Sequence, residues 1–196
     1  MALAAWCAAR EAVTLVDLDF VNPYFRSQDH QEALHALGVQ VIAPEERVAQ
    51  IDAPAMPPSA RQAMVHPTGR TIVDLGGDPA GAIVIGQYAA DLVHYDLWAV
   101  VNFARPTTAT PAQAAPLLRD IAAATRLHFT GLVSNTHFGE YTTPDDIRDG
   151  LAHAQELGQL LQVPVVLATV PAGVPAPSLP LPVLEIAPRL RKPWER

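Results

Sequence analysis

The sequence predicts a three-layer α/β domain built on a mainly parallel sheet with helices on both faces. Three observations carry that prediction. Short apolar runs rich in β-branched residues recur along the chain and read as strands. Segments of helical character alternate with them, as in folds whose strands are joined by crossover helices. The strand runs are almost continuously apolar, the pattern of strands covered on both faces. A chain of 196 residues suits one such domain, expected over residues 1–188, with a polar, basic tail at 189–196.

The first nine residues are good helix formers and end near Arg10 and Glu11. Val13 to Asp19 reads as a strand, broken by Asn22-Pro23 into a loop. Asp29 is the expected N-cap of a short helix, and Gly38 its stop. Val39 to Ala43 is a second strand. A Pro-rich loop, Ala53 to Pro58, leads to a helix near Arg61 to Val65. Thr71 to Leu75 is a strand closed by Gly76-Gly77, and Ala80 to Val93 reads as helical. Leu97 to Phe103, Phe129 to Ser134 and Val163 to Val170 read as strands, separated by helices at Pro111 to Arg126 and Pro144 to Leu161. Thr143 is the expected cap of the latter. A Pro-rich run from Pro171 to Pro182 precedes a last edge strand, Val183 to Ile186. No internal repeat is visible.

Composition narrows the function classes. A formal charge of −7 argues against a broad nucleic-acid or anionic-membrane surface. Cys7 is the one cysteine, so no internal disulfide forms, which suits a reducing, cytoplasmic setting. Met1 to Ala9 is apolar but lacks a preceding basic residue, so it does not read as a secretion signal. No stretch reaches the ~20 apolar residues of a membrane-spanning helix.

Ligands of parallel α/β sheets bind outside the carboxyl ends of the strands. Three such ends carry unusual residues. In Val16-Asp17-Leu18-Asp19 two carboxylates stand two apart and share a strand face. In Val73-Asp74-Leu75-Gly76-Gly77-Asp78 an acid near the end of an apolar run is followed by two glycines that let a ligand approach the backbone. In Ser134-Asn135-Thr136 an amide ends a strand. Acids at neighbouring strand ends suit a hard cation such as Mg²⁺. A glycine N–H suits a phosphate oxygen, and an amide suits a purine edge. Each feature also has a plain reading: strand-end acids often face water, and Asn often forms turns.

The segment Val13-Thr-Leu-Val-Asp-Leu-Asp-Phe-Val-Asn-Pro-Tyr-Phe-Arg26 resembles the stretch after the first helix in ParA/MinD-like ATPases, the CobQ/CobB/MinD/ParA nucleotide-binding domain. Ile72-Val-Asp-Leu-Gly-Gly-Asp-Pro-Ala-Gly81 is similar to that family's Walker B and switch II segment, and Gly131-Leu-Val-Ser-Asn135 to its base-reading strand. The likeness runs in order from residue 1 to about Pro171. It implies a P-loop NTPase-like fold and an ATP-binding switch protein or ATPase that uses ATP and Mg²⁺. It implies that Asp19 orients the attacking water, Asp17 supports the Mg²⁺ shell and Asp74 holds Mg²⁺ through water. Gly77 would donate to the γ-phosphate, Asp78 would sit in switch II, Asn135 would contact adenine and Pro171 would flank the base. Nucleotide is the implied partner, with a homodimer and a protein partner as further expectations.

The sequence departs from the family in one respect. Its phosphate loop, Gly-x-x-x-x-Gly-Lys-[Ser/Thr], has no counterpart here, and the one lysine is Lys192. Ala2 to Arg10 matches the second half of the helix that follows that loop. The expectation is therefore a fragment or a mis-assigned start, lacking the first strand and phosphate loop, roughly 20 to 25 residues. Such a chain should bind ATP poorly by itself. Loss of the strand would leave two open sheet edges or force its neighbours to pair. The alternative is a degenerate, non-catalytic scaffold of the same fold used for protein–protein contact.

A small-molecule α/β enzyme unrelated to ATP would need another catalytic constellation. The seven histidines show no His-x-His or His-Glu-x-x-His spacing, there is no Gly-x-Ser-x-Gly elbow, and Gly81 to Gly86 lacks dinucleotide-loop spacing. His94, His128 and His137 read as surface or satisfied core histidines, Arg26 and Arg105 as solvated loop arginines, and Cys7 as a buried small hydrophobe. The tail Arg189 to Arg196 is too short, and interrupted by Pro193, for a membrane-surface helix.

Overall fold

Every strand pairing among the described residues is parallel: a helical segment lies between the partners in each pair except β6–β7, which the Pro-rich run joins without one. The computed structural model describes residues 1–19, 31–43 and 57–187. In chain order they form α1 (Ala2–Ala8), β1 (Val13–Leu18), α2 (Gln31–Ala36), β2 (Val39–Ile42), α3 (Pro58–Val65), β3 (Arg70–Leu75) and α4 (Pro79–Ala82). Then come β4 (Trp98–Val101), α5 (Pro111–Thr125), β5 (Gly131–Ser134), α6 (Pro144–Leu161), β6 (Val165–Pro171) and β7 (Val183–Ile186). The architecture is α/β. The strands make two parallel sheets where the sequence suggested one: β2-β1-β3, and β4-β5-β6-β7. Within those sheets β3 pairs only with β1, and β4 only with β5. The chain divides into two compact units, Met1–Val93 and His94–Arg196.

In the first unit β1 is the central strand, and its apolar run is buried almost throughout. β3, at the edge, is half-buried to exposed. Helix α1 lays Ala4 and Cys7 into a cluster with Val13, Leu15, Leu34, Val39 and Val41. The Cys7 thiol is thus a core group, and burial raises its pKa. Arg10 folds back over the Trp6 ring, 4.1 Å from its centroid. Gly38 ends α2 as expected: its φ of +80° suits a residue without Cβ, and its N–H donates to the His35 carbonyl at 2.9 Å.

The stretch from Ala80 to Val93 departs from the predicted helix. Four residues of α4 give way to a 3-10 turn over Ile83–Gln87, and turns follow. Gly81, Gly86 and the β-branched run Ile83-Val84-Ile85 are poor α-helix formers, and the tighter winding buries Val84 and Ile85. The expected Asn22-Pro23 loop, the Asp29 cap, the loop over residues 53–56, Arg26 and the tail lie outside the described residues.

In the second unit two capping boxes start the long helices. Thr110 and Gln113 exchange hydrogen bonds at the head of α5, and Thr143 and Asp146 at the head of α6. Each box satisfies two N–H groups that would otherwise lack partners, which is why Thr143 could be read as a cap from sequence. α5 and α6 end on Arg126 and Gln162 in the left-handed region. Among the described residues no helix is long and apolar enough to cross a membrane.

Gly150 of α6 packs directly on Thr136, just past β5. A Cβ at residue 150 would stand 2.4 Å from Thr136 Cβ and 2.6 Å from its Oγ1. Helix propensity alone favours Ala over Gly by up to about 1 kcal/mol. The steric cost of entering a packed contact, about 1–3 kcal/mol, outweighs that gain. Gly150→Ala should therefore lower stability in urea unfolding, and a more stable variant would show that α6 can shift away from Thr136.

Candidate functional site

The parallel register of β1 and β3 pairs Asp17 with Asp74 and Leu18 with Leu75. The two carboxylates predicted to share a site therefore leave neighbouring strands at the same level. Asp17 is 5% exposed, an unusual environment for a carboxylate. Its Oδ1 accepts the backbone N–H of Asp19 at 3.1 Å, which tethers the first residue beyond β1. Asp19 itself is half-buried.

The turn after β3 approaches this group closely. A Cβ on Gly76 would meet Gly81 Cα at 2.8 Å and Asp19 Oδ1 at 3.4 Å, so glycine is what lets the turn pass between them. Gly77 is exposed, with open space where a side chain would stand. Asp78 is the N-cap of α4: its Oδ1 accepts the Gly81 N–H at 2.9 Å, with Pro79 as the first helical residue.

Asp74 keeps a solvent-exposed edge while protein crowds the rest of its carboxyl group. That burial raises its pKa above the ordinary carboxylate value. Asp17 and Asp19 push in the same direction, and the Met1 ammonium opposes them. Among the described residues no group of three or more His, Cys, Asp or Glu side chains is placed to hold a metal ion.

The other predicted residues, Asn135 and Pro171, belong to the second unit, at the carboxyl ends of β5 and β6. The Asn135 N–H donates to the Val101 carbonyl at 2.8 Å, and the Phe103 N–H donates to Thr136 Oγ1 at 3.1 Å. These bonds tie the loop after β5 to the loop after β4. The Thr169 hydroxyl on β6 donates to Asn135 Oδ1 at 2.5 Å. Pro171 is buried, and its carbonyl accepts the Val174 N–H at 3.1 Å. His137 is half-buried, and its Nδ1 accepts the Gly139 N–H at 3.2 Å, which places the neutral ring's proton on Nε2. Burial, then the positive charge of Arg105, lowers its pKa below the ordinary histidine value. Phe138 and Tyr141 stand exposed on the same loop.

Sequence reasoning did not single out Thr169 or Thr136, because their roles depend on strand register. A recess of about 680 Å³ lined by Gln155, Gln159, Gln162, Pro164 and Pro180 lies elsewhere, at the amino end of β6 and before β7. It shares no residue with the predicted set. Comparison of the chain with known protein families and with characterised proteins finds no match.

Two predictions follow from these charges. A carboxyl whose pKa is higher folded than unfolded takes up a proton on folding, so its charged form weakens the fold as pH rises through that window. At pH 7 Asp74→Asn should raise the melting temperature by roughly 1–4 °C. That advantage should shrink on acidification, as the wild-type carboxyl becomes neutral; a gain independent of pH would mean that charge is not its source. His137 has the opposite sign. The fold favours its neutral form, so stability falls as pH drops through about 6.5, where the unfolded chain binds the extra proton first. Its ring resonances should titrate below the ordinary histidine value, and Arg105→Ala should recover only the smaller part of that shift, because burial is the larger cause.

Proposed function

We propose that this chain carries the strand-end machinery of a ParA/MinD-like, P-loop NTPase-type nucleotide switch. One observation carries the reading. Asp17 and Asp74 stand side by side at the carboxyl ends of adjacent parallel strands, and Gly76-Gly77 then turn into a helix capped by Asp78. Parallel sheets place ligands at this end, and an open glycine N–H suits a phosphate oxygen.

In this reading Asp74 and the buried Asp17 would hold Mg²⁺ through retained water, which suits their oxygen donors. When bound, Mg²⁺ supplies neutralisation of phosphate charge. Asp19, held through its N–H to Asp17, orients the attacking water. Gly77 donates to the terminal phosphate, and Asp78 keeps the turn in shape through its cap. For the second unit taken by itself, the resemblance implies that Asn135 contacts the base and Pro171 flanks it.

The sequence holds no Gly-x-x-x-x-Gly-Lys-[Ser/Thr], so its residues supply neither the N–H cradle nor the lysine that such sites use for the β- and γ-phosphates. Mg–ATP affinity of the 196-residue chain is therefore expected to be millimolar. Amide chemical shifts followed through an Mg–ATP titration test the reading. Gly76, Gly77, Asp78 and Asn135 should move at millimolar nucleotide. Silence at all four positions would overturn it in favour of a scaffold that uses this fold for protein contact, and micromolar affinity would overturn the role given to the phosphate loop.

A further inference from the structure

The register of β5 and β6 sets Ser134 beside Ala168, so the next residues, Asn135 and Thr169, are also neighbours. Thr169 is buried, 6% exposed, so its hydroxyl needs a protein partner. Two acceptors are in reach: Asn135 Oδ1 at 2.5 Å and the Ser134 carbonyl at 3.5 Å. A hydroxyl has one proton, and the nearer oxygen takes it.

The same distance decides which way the amide of Asn135 faces. Bonds of the O–H···O type reach down to about 2.5 Å, whereas N–H···O bonds begin near 2.7 Å. The atom against Thr169 is therefore the amide oxygen, and Nδ2 is turned away from it. Among the described residues Nδ2 has no hydrogen-bond partner, yet no buried side-chain nitrogen or oxygen there lacks one. Nδ2 is thus not fully buried, on a residue that is itself half-buried.

We propose that Thr169 is a positioning residue that locks the Asn135 amide with its two N–H donors outward, making the carboxyl end of β5 a donor site for a ligand edge that leads with an acceptor. A heterocycle's ring nitrogen or carbonyl oxygen has that chemistry. The ligand half of this inference rests on the nucleotide reading above; the locking half does not. A threonine that merely satisfied its own hydroxyl would leave the amide free to turn.

Side-chain amide NMR on the full ¹⁵N-labelled chain separates these. In the wild type the Asn135 Nδ2 group should be nearly as ordered as rigid backbone, with an order parameter of about 0.8, and a value under about 0.6 would overturn the lock without any variant. Thr169→Ser keeps the hydroxyl and should keep the order. Thr169→Val keeps the shape, removes the donor and should let the amide loosen, and unchanged order in the folded Val variant would also overturn the lock. Adenosine at millimolar concentration supplies the ligand arm. It should shift the Nδ2 resonances in the wild type and the Ser variant, and less in the Val variant. An ordered amide that ignores adenosine would leave Thr169 as the lock and overturn the ligand half, together with base reading by Asn135.

Discussion

The parallel register between β1 and β3 is the constraint on which the first unit's chemistry depends. Parallel strands end on the same side of a sheet, so residues paired near those ends are brought together whatever their separation in sequence. Here the pairing sets Asp17 beside Asp74 across 57 positions of chain. A shift by one residue would send one carboxylate to the opposite face. The apolar residues Val13, Leu15 and Val16 hold the register, because slippage would break their packing on both faces of the strand. A site that costs stability, with an acid whose charged form is disfavoured, is thus held by the packing of its apolar neighbours.

The turn after β3 shows how little space this arrangement leaves. Gly76 passes within contact of both Gly81 and Asp19, while Gly77 opens onto free space. The two glycines therefore serve different ends. The first permits close approach of chain to chain, and the second leaves a backbone N–H without a side chain to cover it. Asp78 then commits its carboxylate to the Gly81 N–H, which fixes where the turn stops and α4 begins. In the second unit hydrogen bonds do comparable work. The loops after β4 and β5 are joined through Val101, Phe103, Asn135 and Thr136, and α6 presses Gly150 against that same threonine. Displacing the helix would disturb the loop that presents Asn135.

Much of the fold was legible because its signals are local. Thr143 and Pro144 mark the start of α6 through cap chemistry contained in four residues, and Gly38 ends α2 through its own backbone conformation. The last strand, Val183–Ile186, stands where its apolar run lies. The stretch after Ala80 was misread because its apolar residues suit a helix in spacing while its glycines and β-branched residues disfavour α-helical winding. Thr169 was invisible for another reason. Nothing within its own strand distinguishes it from a threonine chosen for β-structure, and its partner lies 34 residues away.

By itself the sequence determined the α/β class, the positions of most elements and the acids, glycines and amide that close their strands. Those follow from periodicity, capping and turn chemistry, which act over a few residues. Tertiary structure alone decided that the strands form two sheets, that Asp17 lies buried beside Asp74, and that the Asn135 oxygen is taken by Thr169. Those facts depend on strand pairing across long loops. The free energy that selects a pairing comes from burial summed over whole faces of a sheet, and no short run of residues carries it.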